Sequence, residues 1–408
     1  MNDPDMALSL LVMLVGGLIV LAILVKALSE RVNVPALVGY LAIGFCVRLL
    51  DDRFDMLHEE EFGVFEFLAR IGLIALLFRV GLESNLKELL KQLRSASLIW
   101  VGNVALSGLA GYSACRYLLG LEFLPSLVVG TAMTATSVGI PVAIWRQEKA
   151  LDSEDGRRFI DVAELDDITG VLAMALLFSL IPVLRSGDEG ALWLGVAKTV
   201  GYFGSALAIF AAGCLLFSHF IEERLTRFLE EIQCQRDLTI VVAGLGFIIA
   251  AGASLAGFSA AIGAFFAGLV FSRDPERVRI DAGFDSLYAL FTPFFFINIG
   301  MTLAPDSLGA ALIPGLILIT AAVFGKVLGT GVPALACGFS SAALLAVSMV
   351  PRAEITMVIM KRGHQMGPDV VPDGVFAGMV LVSAVTCALA PLLLQAMLRK
   401  EMKGEASS

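Results

Sequence analysis

The sequence predicts an all-α polytopic membrane protein with about 13 spans, each about 20 residues long and able to cross a hydrocarbon core about 30 Å thick. Three observations carry that prediction. Of the 408 residues, 58% are apolar and only 16% charged, with a mean hydropathy of +0.85. Soluble globular chains average about 45–50% apolar and about 25% charged, so a water-soluble enzyme is excluded. The apolar residues recur in separate runs from Met6 to Leu398, and lysine and arginine fall unevenly between alternate loops.

The first run, 6–26, begins without a basic flank and reads as a spanning helix rather than a cleaved leader. Runs at 34–47, 62–82, 96–115, 123–145 and 159–183 follow. The rest lie at 191–218, 237–255, 258–272, 284–304, 308–336, 341–360 and 375–398. Residues 1–398 therefore read as a single transmembrane domain, and 399–408 as a short cytoplasmic tail with no regulatory nucleotide-binding domain. With the N-terminus outside, 18 of the 29 basic residues fall in inner loops and tail and 6 in outer loops. The other five, Arg70, Arg79, Lys198, Lys326 and Arg352, lie within spans. The positive-inside rule then sets N-out, C-in. A net charge of −9 and the lack of a basic tract argue against nucleic acid. Six scattered cysteines form neither a disulfide framework nor a zinc site, and they read as small core residues. No cofactor is expected.

A repeat is legible. Ala36, Gly39 and Gly44 are answered by Ala260, Gly263 and Gly268 at an offset of 224. Phe65, Glu66, Leu68 and Gly81 are answered by Phe284, Asp285, Leu287 and Gly300 at an offset of 219. Span 2 then matches span 9 and span 3 matches span 10, an odd separation that inverts the two halves in the membrane, as in many secondary transporters. Span 5 pairs with span 12 in this plan, and both are poor helices. The first carries Thr131-Ala-Met-Thr-Ala-Thr-Ser137-Val-Gly139-Ile-Pro141, the second Met349-Val-Pro351-Arg352-Ala-Glu354. Proline and glycine at matching places predict broken helices around a midplane site, beyond ordinary proline kinks.

Span 6 holds Glu164, Asp166 and Asp167, carboxylates costly in a membrane unless they face a water-filled path. Asp166 and Ser137 lie about 12 Å, and Lys326 about 15 Å, from the cytoplasmic ends of their spans. Pro351 falls at the same depth. Neighbouring residues on a helix point about 100° apart, so one aspartate can pair with Lys326 while the other faces the cavity. Carboxylates that hold either a proton or a cation would couple the two, which is the basis of exchange. Glu164 extends a proton path or meets a cytoplasmic funnel. Arg352 and Glu354 neutralise half-helix ends or form a plain ion pair. Arg70, Arg79 and Glu66 read as an internal structural group, and Asp161, His58, His219 and His364 as boundary or loop residues.

Taken in order, several segments resemble the monovalent cation/proton antiporter superfamily, specifically its bacterial Nap/Kef-like sodium/proton antiporter branch. They are Pro35–Gly44, Leu77–Glu83, Thr136–Ile140, Asp166-Asp167, Gly263–Gly268, Phe294–Gly300, Gly325-Lys326 and Pro351–Glu354. The resemblance implies the sodium/proton antiporter fold, with inverted repeats and crossed discontinuous helices. Spans 1–3 and 8–10 would form the dimerisation side, and spans 4–6 and 11–13 an ion-transporting core that moves like an elevator. It further implies that Asp167 binds Na⁺ with Thr136 and adjoining backbone at Ser137, that Asp166 pairs with Lys326, and that Pro141, Pro351, Arg352 and Glu354 support the half-helices. The aspartate pair is similar to that of electrogenic members, which move more protons than sodium ions per cycle. A homodimer in a bacterial inner (plasma) membrane, in contact with lipid, is expected. Ala353 departs from the glycine that many relatives carry there, and no Kef-type regulatory domain is expected.

The alternative within transport is K⁺/H⁺ exchange on the same scaffold, since the sequence does not fix a cavity radius. A sodium-coupled organic-anion carrier leaves Asp166-Asp167 unexplained. An intramembrane aspartyl protease needs its aspartates on different helices, and a passive channel would ignore a proton gradient.

Overall fold

The computed structural model describes residues 4–32, 36–54, 59–83, 86–137, 139–151, 153–185, 189–217, 238–255, 260–271, 280–303, 305–337 and 341–405. Among them every regular element is helical. The first helices are α1 (Pro4–Val32), α2 (Ala36–Phe54), α3 (Glu59–Glu83) and α4 (Leu86–Ser113). A π-turn at Ala114–Leu118 ends α4, and Gly120, at φ +67°, reverses the chain. Next come α5 (Phe123–Thr134), α6 (Gly139–Gln147), α7 (Glu154–Arg185) and α8 (Glu189–Phe217). They are followed by α9 (Leu238–Leu255), α10 (Ala260–Phe271), α11 (Ile280–Met301) and α12 (Ser307–Ala336). The last are α13 (Ala342–Ser348), α14 (Glu354–Gln365) and α15 (Asp373–Glu405). The final helix thus runs on past Leu398 into the stretch that the sequence reads as a tail.

The distribution of polarity is inverted relative to a soluble protein. Leu255 is 91% exposed and Ile209 73%, whereas Asp166, Lys326 and Arg352 are buried. Five of the described helices contain segments long and apolar enough to cross a membrane: Leu11–Ser29, Ser97–Leu118, Glu154–Arg185, Gly309–Ala336 and Asp373–Lys400. Apolar side chains facing outward and charges facing inward are what a lipid solvent selects, since a charge is cheapest away from hydrocarbon.

Packing separates the helices into two groups. In one, α3 packs against α10 and α11, α2 against α11, and α1 against α2. In the other, α4, α12 and α15 pack in sequence, with α5, α7, α13 and α14 against them. Helix α8 touches α7 on one side and α10 on the other. Glycines permit the closest crossings. A Cβ on Gly44 would lie 1.9 Å from the Ile297 carbonyl oxygen, and one on Gly268 would lie 2.1 Å from that of Phe78. Backbones that approach so closely gain dispersion contact along the whole crossing, the usual means of helix association in membranes.

Several residues differ from the sequence reading. Arg70 pairs with Glu66 at 2.8 Å, but on an exposed face rather than internally. Arg79 lies over the Tyr288 ring at 4.5 Å. Lys198 is exposed on α8, whereas Lys361, just beyond the run 341–360, is buried in α14 and donates to Asn298 Oδ1. Of the described thiols, Cys115 and Cys387 are buried, Cys46 and Cys337 are exposed, and all four are free. His58, His219 and Cys234, together with the side chains of Cys214 and Glu164, lie outside the described residues.

Candidate functional site: two interrupted helices around a buried ion pair

The fifth apolar run is two helices, α5 and α6, separated by an extended stretch that begins at Ala135 (φ −68°, ψ 145°). The twelfth is likewise α13 and α14, separated at 349–353. The two gaps meet: the Ser137 amide donates to the Pro351 carbonyl at 2.9 Å. The Thr136 hydroxyl reaches the Met349 carbonyl at 3.5 Å. Each gap thus satisfies part of the backbone left open in the other, the condition for non-helical backbone inside a membrane.

A helix end leaves carbonyls without intrahelical partners and carries partial negative charge. Three side chains from the second interrupted helix and α12 supply donors to the end of α5. Thr356 Oγ1 donates to the Ala132 carbonyl at 2.9 Å, and Lys326 Nζ to that of Thr134 at 2.7 Å. Arg352 Nη1 donates to the Ala135 carbonyl. Helix α15 fixes Arg352 from behind, with the Thr386 hydroxyl accepting its amide and the Ser383 hydroxyl donating to its carbonyl. Arg352 therefore neutralises a half-helix end, but that of span 5 rather than its own.

Helix α7 brings the acids. Asp166 is 1% exposed and Lys326 is fully buried, with Nζ 3.4 Å from Oδ2 and 3.5 Å from Oδ1. Asn103 Nδ2 donates to Asp166 Oδ1 at 2.7 Å. Asp167, about 100° further round the helix, is half-buried. One turn on, Gly170 lies against the interruption, where a Cβ would sit 3.2 Å from that of Ala135. Among the described residues, Ser137 Oγ and Arg352 Nε and Nη2 are buried without hydrogen-bond partners. A buried hydroxyl left so costs about 1–3 kcal/mol, and an oxygen-binding cation would offset that cost.

A model of the transmembrane sodium/hydrogen exchanger family matches residues 19–400. The chain belongs to the sodium/hydrogen exchanger family. It is 28% identical over 351 residues to a high-affinity Na⁺/H⁺ antiporter, NhaS3, of Synechocystis sp., covering 84% of this chain and 73% of the relative. It is 27% identical over 371 residues to a Na⁺/H⁺-K⁺ antiporter, GerN, of Bacillus cereus, covering 90% of this chain and 91% of the relative. In structure it is similar to the sodium proton antiporter MjNhaP1 of Methanocaldococcus jannaschii, with a TM-score of 0.70 at 16% identity, covering 96% of this chain and 98% of that one. The fold is thus that of sodium/proton antiporters, and the exchanger is a multi-pass integral membrane protein.

In this exchanger the residues singled out by sequence converge. Thr136, Ser137, Pro351 and Arg352 are buried at the meeting of the two gaps, with Asp166 and Lys326 beside them. Pro141 is buried in the first turn of α6, and Glu354 opens α14, its carboxylate at the positive end of that helix. Sequence reasoning missed Asn103, Thr330 and Thr356. Asn103 carried a signal, as the one amide side chain in the run 96–115. It also missed Trp145, whose indole donates to Ser348 Oγ at 2.9 Å and ties α6 to α13.

Proposed function

We propose that the chain is a secondary active antiporter that exchanges protons for Na⁺ or Li⁺ across the membrane. The observation that carries this reading is the division of labour between adjacent aspartates. Asp166 is engaged by Lys326 and Asn103, while Asp167 lies one turn from the interruption that holds Thr136 and the unpartnered Ser137 hydroxyl. Asp167, Thr136 and nearby backbone carbonyls offer the oxygen ligands a dehydrated alkali cation needs. Protonation of the carboxylate and cation binding exclude one another, so each turnover trades one for the other. Release of a further proton from Lys326 would make the cycle electrogenic.

The conformational reading rests on packing. The α2/α11 crossing at Gly44 and Gly300 and the α10/α3 crossing at Gly268 and Gly81 exchange places when Gly44 is matched with Gly268 and Gly300 with Gly81. That reciprocity supports two inverted repeats within about 13 spans. The two helix groups support a scaffold of spans 1–3 and 8–10 and a moving core of spans 4–6 and 11–13. Alternating access by the core, a homodimer joined through the scaffold, and an N-out, C-in orientation in a bacterial inner membrane complete the proposal.

K⁺/H⁺ exchange is the second reading, favoured by the K⁺ in the name of the Bacillus cereus relative. Uptake of radiolabelled sodium into proteoliposomes with an acidic interior tests the choice. The reading expects sodium uptake that competes with external lithium and persists in excess potassium. Uptake abolished by potassium would move the substrate to K⁺.

A further inference from the structure

Asn103 follows Gly102 in α4, and Thr330 follows Gly329 in α12, where the two helices meet backbone to backbone. A Cβ at either glycine would lie 2.7 Å from the other's carbonyl oxygen. Both Asn103 and Thr330 are fully buried. The Thr330 hydroxyl donates to Asn103 Oδ1 at 3.1 Å, and Asn103 Nδ2 donates to Asp166 Oδ1 at 2.7 Å. The opposite amide orientation would set two acceptor oxygens 2.7 Å apart, so the Asp166 carboxylate fixes which way the amide points, and the Thr330 hydroxyl, by donating to Oδ1, holds the amide in place.

Lys326 stands differently toward the same carboxylate. Its short bond, 2.7 Å, goes to the Thr134 carbonyl, and its distances to Asp166 are 3.4 and 3.5 Å. Of the two donors, the neutral amide holds Asp166 closer than the ammonium does. Among the described residues, the other charges that act on this group are Asp167 on α7 and Arg352 in the α13–α14 gap.

We propose that Asn103, held by Thr330, is a positioning residue that keeps Asp166 in place so that Lys326 can release it during each exchange cycle. The inference rests on the exchange reading above and deepens it. Without the amide, the buried carboxylate has the ammonium to turn to, and in a low-dielectric interior the pair closes up. A lysine held that tightly exchanges its proton slowly, so turnover falls while the cation site at Asp167 is untouched.

The test is Na⁺-driven proton flux in proteoliposomes for wild type, Asn103→Leu, which keeps volume and removes the donor, and Thr330→Val, which removes the hydroxyl that holds the amide. Asn103→Leu is expected to lower kcat about tenfold or more, the scale of one lost hydrogen bond to a charged group. The apparent KM for Na⁺ should stay within about twofold, as a role outside cation binding requires. Thr330→Val should act in the same direction, by about threefold. In a Lys326→Gln background, Asn103→Leu should add almost nothing, because the ammonium that Asp166 would otherwise turn to is gone. Unchanged turnover, a KM effect alone, or full additivity with Lys326→Gln would overturn the inference. If Asn103→Leu fails to fold, Thr330→Val decides the matter by the same criteria. A wild type that exchanges no cation overturns the exchange reading and this inference with it, whereas an active wild type with unaffected variants overturns this inference alone.

Discussion

Asp167 and Lys326 are predicted to fail in different ways. Asp167→Asn keeps the shape and removes the charge proposed to hold either ion, so exchange should vanish while thermal stability in detergent is kept. Lys326→Ala removes one partner of a buried pair and leaves Asp166 held by Asn103. Breaking such a pair costs about 3–5 kcal/mol where nothing else compensates; here the remaining amide should bring the loss toward the lower end, with electrogenicity lost before binding. Thermal melts and the voltage dependence of flux separate the two variants, and fully electrogenic transport by Lys326→Ala would refute its assigned role. Ser137→Ala removes a hydroxyl with no hydrogen-bond partner among the described residues. Without Na⁺ it should raise stability by up to about 1–3 kcal/mol, the cost of the unpaired hydroxyl, and it should raise the KM for Na⁺ several-fold; an unchanged KM would remove Ser137 from the site. These residues were legible in the sequence because charge and proline in apolar runs are costly and therefore conspicuous. Asn103 was not read, since a lone amide does not reveal its partner, and α12 brings Thr330 to it from 227 positions away.

Broken helices were legible for the same reason, as Gly139, Pro141 and Pro351 interrupt the pattern that the rest of each run keeps. Helix ends were less so. Hydropathy drops after residue 360 and ends the run 341–360 there, yet α14 continues to Gln365 with Lys361 buried against Asn298. Hydropathy records the cost of a charge in lipid and is blind to a polar partner on another helix. The glycine crossings yield a contrast: a Cβ at Gly44 would meet the Ile297 backbone, whereas one at Gly16 on α1 would meet nothing within 4 Å. Overpacking of the first kind costs about 1–3 kcal/mol or more, so Gly44→Leu should lower the melting temperature and Gly16→Leu should not. Equal melting temperatures would contradict the crossing. At the end of α15, Arg399 Nε donates to Glu148 Oε1 at 3.0 Å and holds that carboxyl below its usual range. A carboxyl so shifted contributes stability above its unfolded value of about 4.3 and loses it as pH falls through the lower folded value. Glu148→Gln should remove that acid-side loss, an effect kept small by the exposure of Arg399 and abolished by high salt. An unaltered acid melting profile would show that the contact contributes nothing.

Taken as one object, the molecule is a lipid-facing shell of apolar helices around a polar centre, and its class was legible from composition alone. The grouping of helices was not, because it depends on which apolar faces meet, and the apolar surface is alike on all sides. Ion preference lies deeper still, in cavity dimensions that residue types do not determine. The proposed exchange requires that a proton and a cation compete for one carboxylate. The most direct measurement is dequenching of a pH-sensitive dye in proteoliposomes that hold a proton gradient, with Na⁺, Li⁺ and K⁺ added separately to wild type and Asp167→Asn. Proton efflux on addition of Na⁺ or Li⁺, absent in the mutant, is the predicted result. Efflux that survives Asp167→Asn, or no response to any of the three cations, would contradict it.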